Sequence, residues 1–352
     1  MIRRFTRGSG WVAALTAAVL GCASSAQAGP RQQVTWYLST WGSSRAVNKA
    51  VEVLAETVAR ETGDGFKIIV QYGEALSPAR DNLDSISVGV IEAGHFCPSY
   101  HPGKTPLMLA LELPFLPIPN LDASRRLALA YYRHPEVVRE MDKFNAVALM
   151  QTTAPRYEFM GTGEPPLTLE RWQGLRVRAP GNVGDAVRAM GGQPTSVAAP
   201  EIYTGLERGM FDAATLPFPY AFASYRIQEV ATWYTYNLNA GMPNCVIAAN
   251  QGAINALPEV YRQALFDAIP SSIDAQINLL EEEDAKWVAQ FDAAGLKRVT
   301  YTDRQIADLK SRYARQIWDD WVGKVTRRGL PGREMLDFIL DEAARVSQGV
   351  SQ

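Results

Sequence analysis

Strand-like and helix-like segments alternate regularly after the N-terminus, and this alternation restricts the possible folds more than any other feature of the sequence. Residues 34–38 and 66–72 have the pattern of strands, residues 77–88 that of a helix, and residues 89–96 that of a third strand. The segment between the first two strands places its apolar side chains at helical spacing: Val47, Val51, Leu54 and Val58. Strands that alternate with helices predict a parallel sheet, and such sheets bind ligands beyond the carboxyl ends of their strands.

The middle of the chain repeats this pattern, which predicts a second α/β unit. The predicted strands are residues 146–151, 156–160, 175–178, 211–216 and 245–249. The predicted helices are residues 182–190 and 201–208. Two such units joined by several connections predict a two-lobed α/β protein with a cleft between the lobes.

The last third of the chain is predicted to be helical. Its apolar side chains follow two helical stripes: Ile273, Ile277, Leu280, Trp287 and Phe291 in the first, and Ile306, Leu309, Tyr313, Ile317, Trp321 and Val325 in the second. We expect lobe I to comprise residues 29–152 with parts of 245–352, and lobe II to comprise residues 153–244. Residues 271–352 are expected to form long helices that pack across both lobes and brace them.

Residues 1–28 have the three parts of a cleaved signal peptide. Three arginines within the first seven residues precede the apolar stretch 11–20, and Ala26 and Ala28 provide the small-residue cleavage site. The apolar stretch is shorter than the roughly 20 residues that a membrane-spanning helix needs. We therefore expect export to the periplasm, and a lipid anchor on Cys22 is the alternative.

Charge and cysteine content exclude several classes of protein. The chain has 35 basic and 37 acidic side chains, so it lacks the basic excess with which nucleic-acid-binding proteins neutralise phosphates. We expect no nucleic-acid partner. Apart from Cys22, only Cys97 and Cys245 are present, which is too few for a disulfide framework. One bridge and two separate buried thiols both agree with the sequence.

Familiar signatures of catalysis and cofactor binding are missing from the sequence. No GxSxG, HExxH, CxxC or Walker-type motif occurs, and no GxGxxG stands between strand and helix, so we expect no catalytic residue and no cofactor. His95, Cys97 and His101 lie close together in the sequence, but their spacing matches no zinc site. We expect them to have structural or pocket-lining roles and not to bind a metal.

An arginine lies where the cleft is expected. Residues 174–181 (GLRVRAPG) predict a short strand that ends at Pro180 and carries Arg176 and Arg178 on one face. A guanidinium group at a strand end can donate two parallel hydrogen bonds to a carboxylate. Residue types alone leave two interpretations open, a surface arginine and a ligand-binding arginine.

Two motifs place this segment in a family context. Residues 172–180 (WQGLRVRAP) resemble the DLKGLKIRVP segment of TRAP transporter substrate-binding proteins of the DctP type. Residues 200–213 (PEIYTGLERGMFDA) resemble the ExYxALqxGxvDG signature of that family, and residues 112–116 and the pair Leu257-Pro258 also match. The resemblance covers nearly all of the chain after the signal peptide. It implies a periplasmic-binding-protein fold with a hinge and a ligand cleft.

The resemblance also implies ligand-binding roles for individual residues. Arg178 matches the arginine that holds the ligand carboxylate in this family, and Arg156 matches a second pocket arginine. Cys97 falls near a polar pocket position of sialic-acid-binding members, and Leu216 replaces a frequent asparagine, so a sugar acid is disfavoured. Aromatic side chains could line an apolar pocket instead: Trp41, Phe96, Tyr100, Tyr157, Phe218 and Tyr220.

These observations predict an extracytoplasmic solute-binding protein that captures a small organic acid, with an aromatic acid or a short hydroxy or keto acid favoured. The family resemblance implies that the closed form delivers this acid to the subunits of a TRAP membrane permease. Two alternatives remain, namely an exported sensory receptor of the same fold and a secreted enzyme that acts on carboxylates.

Overall fold

The computed structural model describes residues 32–348, which form two β-sheets surrounded by helices. The predicted signal peptide, including Cys22, lies outside the described residues. The strands are β1 (Val34–Ser39), β2 (Phe66–Gln71), β3 (Ala93–Phe96), β4 (Ala146–Gln151), β5 (Tyr157–Gly161), β6 (Arg176–Arg178), β7 (Gln193–Thr195), β8 (Ala213–Pro217), β9 (Trp233–Thr235), β10 (Val246–Asn250) and β11 (Lys297–Val299).

The first sheet has the strand order β2-β1-β3-β10-β4 and is mixed. Strand β1 pairs in parallel with β2 and β3, as the sequence predicts, whereas β10 runs antiparallel to β3 and β4. The parallel arrangement predicted for the first three strands is therefore confirmed, and the sheet is mixed because of β10. The reason is that β10 follows a connection from the second sheet and enters the first sheet in the opposite direction.

The second sheet has the strand order β11-β9-β5-β8-β6-β7. Strand β6, which ends in Arg178, lies parallel to both β7 and β8, while β5 runs antiparallel to β8 and β9. Strands β7, β9 and β11 have three residues each, and unlike β6 they do not lie in a segment that alternates between apolar and basic residues. The sequence analysis did not identify them.

The helices are α1 (Lys49–Glu61), α2 (Asn82–Ser87), α3 (Leu121–Tyr132), α4 (Pro135–Asp142), α5 (Val183–Ala189), α6 (Ile202–Glu207), α7 (Tyr220–Ser224), α8 (Gln251–Asn255), α9 (Glu259–Asp267), α10 (Ile269–Ala293), α11 (Asp303–Thr326) and α12 (Gly332–Gln348). Helix α2 is shorter than predicted, and α3 and α4 were not predicted. Among residues 32–348, no helix combines the length and apolarity that crossing a membrane requires.

Helix α10 connects the cores of the two sheets. Its first half buries Ile273 and Ile277 in the core that α1 forms with β1 and β2. Its second half buries Leu280 and Phe291 in the core beside β8 and β9. Helix α11 then packs on α5, and α12 packs on α3 and α11, so the C-terminal helices contact elements of both sheets.

Two further segments pass between the sheets, residues 152–156 and residues 236–245. They are joined where they reach the first sheet, because both the backbone N–H and the hydroxyl of Thr152 donate to the carbonyl oxygen of Cys245 at 2.9 Å. Cys245 is also linked to Cys97 by a disulfide, which settles the choice that the sequence left open. The disulfide therefore fixes the second crossing segment to the end of β3.

Candidate functional site

A pocket lies where the two sheets meet, at the carboxyl ends of β3 and β6. The space open to the centre of a water-sized sphere is about 60 Å³, enough for roughly four to six waters. The lining residues are Trp41, Arg45, Val47, His95, Cys97, Ser99, Tyr100, Thr152, Ala154, Tyr157, Arg178, Pro180, Ala199, Leu216, Pro217, Tyr220, Ala221, Tyr225, Pro243 and Cys245.

Arg178 is the most deeply buried charge of the pocket, with 2% of its surface exposed. Its Nε and Nη2 both donate to the carbonyl oxygen of Val197, at 3.0 and 2.8 Å, and its Nη1 donates to the carbonyl oxygen of Thr215 at 2.9 Å. These neutral carbonyls fix the guanidinium plane but supply no negative charge. Within residues 32–348, no ion pair joins Arg178 to a carboxylate.

The hydroxyl of Tyr100 lies next to this guanidinium. It accepts hydrogen bonds from the backbone N–H of Ala199 at 3.0 Å and from Nη2 of Arg178 at 3.4 Å. A phenolic oxygen accepts two hydrogen bonds and donates one. Since both acceptor positions are used, the proton of Tyr100 is left to donate into the pocket.

Arg178 has more N–H groups than its protein partners use. The guanidinium carries five N–H donors, and its contacts with two carbonyls and with Tyr100 account for four of them. Among the described residues, the remaining N–H, on Nη1 of Arg178, and the O–H of Tyr100 are two donors near this guanidinium without an acceptor. Two such donors beside an uncompensated positive charge suit a carboxylate.

Aromatic and aliphatic side chains form the other walls. Trp41 stacks on His95 with ring centroids 4.2 Å apart, and it also contacts Tyr100. Tyr157 and Tyr220 line the pocket as well, and burial raises the pKa of both hydroxyls well above the usual value, so both remain neutral. These walls favour a ligand with a flat or apolar body.

His95 is a neutral part of the pocket wall. Thr152 Oγ1 donates to the carbonyl oxygen of Cys245, so it accepts from Nε2–H of His95, and Nδ1 of His95 then accepts from Thr40 Oγ1. Burial lowers the pKa of His95 to about 3. The imidazole therefore carries no charge at neutral pH.

In the described part of the chain, one set of three side chains has the residue types of a metal site and places its potential ligand atoms close together. A ring nitrogen of His95 and the sulfurs of Cys97 and Cys245 lie within 4.8 Å of one another. Both sulfurs are bonded to each other in the disulfide, so only the imidazole could coordinate an ion. This donor set does not suit a metal.

Glu112, from the 112–116 segment that supports the family resemblance, is buried behind this pocket. In the described part of the chain neither of its carboxylate oxygens has a hydrogen-bond partner. Burial raises the pKa of Glu112 to about 7, and the neighbouring Asn244 and Ser99 and, more weakly, the charge of Arg178 act in the opposite direction. Glu112 is thus a buried titratable group whose pKa the charge of Arg178 influences.

The structure brings most of the predicted site residues together. Arg178 and Tyr157 line the pocket, as do five other predicted residues: Trp41, Cys97, Tyr100, Leu216 and Tyr220. Three predicted residues lie elsewhere. Phe96 and Phe218 are fully buried in the cores of the first and second sheets. Arg156 lies outside the pocket and donates to Glu158 at 3.3 Å and to the carbonyl oxygen of Tyr236 at 3.0 Å.

Alternation along a strand explains two of these differences. Successive side chains of a strand point to opposite faces. His95 and Cys97 line the pocket, so Phe96 between them points into the core. In the same way Tyr157 lines the pocket and the preceding Arg156 points away from it.

Arg45 and Tyr225 also line the pocket, and the sequence analysis did not single them out. Arg45 follows β1 by six residues, at a carboxyl strand end where ligands are expected. Its position after β1 could therefore have identified Arg45 as a candidate ligand-binding residue. Tyr225 follows α7, and nothing in its local sequence indicates that it reaches the first sheet.

Known proteins resemble this chain over most of its length. The model of the family described as bacterial extracellular solute-binding protein, family 7 (DctP), matches residues 38–323. A monocarboxylate 2-oxoacid-binding periplasmic protein of Nostoc sp. is 26% identical over 337 residues, which are 92% of this chain and 90% of the relative.

Two solved structures share the fold. One is a TRAP solute-binding protein from Rhodoferax ferrireducens T118 in complex with copurified benzoate, with a TM-score of 0.81 and 21% identity over 90% of this chain and 100% of that chain. The other is a marine metagenome TRAP solute-binding protein specific for aromatic acid ligands, in complex with 3-hydroxybenzoate. Its TM-score is 0.79, with 17% identity over 90% of this chain and 99% of that chain. Because the family model covers most of the chain and the fold agrees, this chain belongs to family 7 of the bacterial extracellular solute-binding proteins.

Proposed function

We propose that this protein captures a small organic acid outside the cytoplasm by binding its carboxylate to Arg178, and that it delivers the acid to a TRAP membrane permease. One observation carries the proposal. Arg178 is a buried cation at the wall of a pocket between two sheets, and its hydrogen-bond partners within residues 32–348 are neutral.

The electrostatics of Arg178 favour an anionic ligand. A buried charge is costly unless a charge of opposite sign compensates it. None of the pocket residues in the described part of the chain is an aspartate or a glutamate. A ligand carboxylate would supply the missing charge and would accept hydrogen bonds from Arg178 and Tyr100 at once.

The walls and the size of the pocket define the rest of the ligand. Trp41, Tyr157, Tyr220 and Leu216 offer apolar surface around a small pocket. An aromatic acid or a short hydroxy or keto acid fits both conditions. The ligands of the similar proteins, a 2-oxoacid, benzoate and 3-hydroxybenzoate, support this class.

The position of the pocket gives the protein its mode of action. The walls come from both sheets, so movement of the second sheet about residues 152–156 and 236–245 would open the pocket and release the acid. The acid leaves unchanged, since the role of the protein is capture and delivery in the periplasm, not catalysis. The ion gradient would act on the permease.

Thermal unfolding against a panel of acids tests the proposal. The panel spans aromatic acids, 2-keto and 2-hydroxy acids, dicarboxylates and sugar acids. At 100 times its dissociation constant, a ligand stabilises the native state by about 2.7 kcal/mol. We expect a clear rise of the unfolding midpoint with one class of acid and none with the matching amides. No shift with any acid, for protein refolded after denaturation to remove bound molecules, would contradict the proposal.

A further inference from the structure

We infer that the pocket has a second anion-binding position, formed by Arg45 and Tyr225, and that its ligand is a doubly anionic acid with a flat apolar body. The inference rests on the proposed function, because it assumes that a carboxylate binds at Arg178. Four features of the pocket lead to it.

Arg45 is the second cation in the pocket lining and has donors to spare. Its Nη1 donates to the carbonyl oxygens of Trp41 at 2.6 Å and Ser43 at 3.0 Å, which fixes the guanidinium at the pocket mouth. No hydrogen bond from its Nε or Nη2 is found within residues 32–348, and no ion pair joins it to a carboxylate there. Arg45 therefore presents free donors and an uncompensated charge.

Tyr225 provides an independent sign of a missing partner. Its hydroxyl oxygen is buried and has no hydrogen-bond partner in the described part of the chain. Burial raises the pKa of Tyr225 to about 12, so the hydroxyl keeps its proton at neutral pH and acts as a donor. The guanidinium carbon of Arg45 lies 5.4 Å from the centre of the Tyr225 ring. A buried hydroxyl without a partner is unfavourable, and a ligand oxygen would satisfy it.

The two anion-binding positions have the same composition. Arg178 belongs to the second sheet and its neighbour Tyr100 follows the first sheet, whereas Arg45 follows the first sheet and Tyr225 belongs to the second-sheet side. Each position thus combines an arginine from one side of the cleft with a tyrosine from the other. A ligand with two anionic groups would bridge the cleft at both positions.

The charge of the pocket agrees with a dianion. Its lining contains two arginines, a histidine that burial keeps neutral, and no acidic residue among the described residues. A singly charged acid at Arg178 would leave Arg45 without compensation. The aromatic walls between them suit a ring that carries both anionic groups.

Calorimetric titration of matched acids tests the inference. Benzoate is compared with the three benzenedicarboxylate isomers, which place the second carboxylate at three different distances, and hexanoate is compared with adipate. We expect the best benzenedicarboxylate to bind at least tenfold more tightly than benzoate. Arg45→Gln should remove this preference, and Tyr225→Phe should reduce it at least threefold. Both substitutions should weaken binding of the benzenedicarboxylate by a larger factor than binding of benzoate.

Arg304→Gln is the control for a change of net charge, because Arg304 is exposed on α11, away from the pocket, where it forms a 3.9 Å ion pair with Asp308. It should leave all affinities unchanged. The second position is ruled out if every benzenedicarboxylate binds more weakly than benzoate, or if Arg45→Gln weakens both members of a pair equally. If affinities do not respond to Arg178→Met, or if no acid binds, the proposed function fails and this inference fails with it.

Discussion

Arg178 and Arg156 lie at the ends of strands that flank the same strand, β8, yet their guanidinium groups have opposite surroundings. Arg156 donates to the buried carboxylate of Glu158 and lies near the rings of Phe218 and Tyr236. Arg178 contacts two backbone carbonyls and a hydroxyl, none of which carries a charge. One arginine is compensated by the protein, and the other is left for a ligand.

This difference shows what makes an arginine a ligand-binding group. Position at a strand end is common to both residues, and so is contact with aromatic rings or hydroxyls. The deciding feature is the counter-charge. An arginine paired within the protein supports the fold, whereas an arginine held in place by neutral acceptors keeps its charge available for an anion.

Substitution of Arg178 should have the largest effect on binding. Arg178→Met keeps an apolar stem of similar length but removes all donors, so the affinity for the acid should fall by at least about 2 kcal/mol, or roughly 30-fold. Calorimetry measures this, with circular dichroism to confirm that the variant is folded. An affinity within threefold of the unsubstituted protein would remove Arg178 from the site.

Substitution of Arg156 should lower the stability of the protein but leave its affinity for the ligand unchanged. Arg156→Gln leaves the buried Glu158 without its cation, although Thr235 and the N–H groups of residues 238 and 239 still donate to it. Arg156 is partly exposed, so we expect a loss of roughly 1–2 kcal/mol in the free energy of unfolding. Urea denaturation measures this loss, and the dissociation constant should stay within twofold. A large loss of affinity in this variant would mean that Arg156 also acts on the ligand.

Substitution of Tyr100 tests whether its hydroxyl binds the ligand carboxylate together with Arg178. Tyr100→Phe removes the O–H that is left to donate into the pocket, at an expected cost of about 1 kcal/mol, or roughly fivefold in affinity. The test is calorimetry with the acid and with its amide, because only a carboxylate gains fully from both donors. The prediction is wrong if Tyr100→Phe weakens both compounds to the same extent.

The smallest expected effect is proton uptake on binding. Burial holds the pKa of Glu112 at about 7, and the positive charge of Arg178 lowers it. An anion bound to Arg178 reduces that positive charge, so the pKa of Glu112 should rise and the protein should take up a fraction of a proton near pH 7. By linkage, affinity should then fall as pH rises through about 7, by less than about threefold.

Calorimetry in two buffers of different ionisation enthalpy detects this uptake. Binding heats should differ between the buffers for the unsubstituted protein and agree for Glu112→Gln. If Glu112→Gln takes up as many protons as the unsubstituted protein, another group is responsible. Arg156→Gln should leave the uptake unchanged, since Arg156 lies outside the pocket and pairs with Glu158.

The part of the fold that the sequence predicts is the part set by local periodicity. The spacing of Val51, Leu54 and Val58 identifies α1, and all three side chains are buried. The reversed direction of β10 depends on where the chain returns from the second sheet, which no local pattern contains. The same holds for the three-residue strands β7, β9 and β11.

The site residues also divide into those that the sequence could identify and those that only the folded structure brings together. Arg178 could be recognised from its motif, and the strand rule of alternating faces would have separated Tyr157 from Arg156 and Cys97 from Phe96. The proximity of Arg45 and Tyr225 arises only when the two sheets come together. Their distance in sequence, 180 residues, leaves no local signal.

A crystal structure of the protein with the acid that most raises the unfolding midpoint would test the central claim most directly. The account predicts a ligand carboxylate oxygen about 2.7–2.9 Å from an Nη atom of Arg178 and within hydrogen-bond distance of the Tyr100 hydroxyl. A carboxylate bound elsewhere, with Arg178 contacting only the carbonyls of Val197 and Thr215, would contradict it.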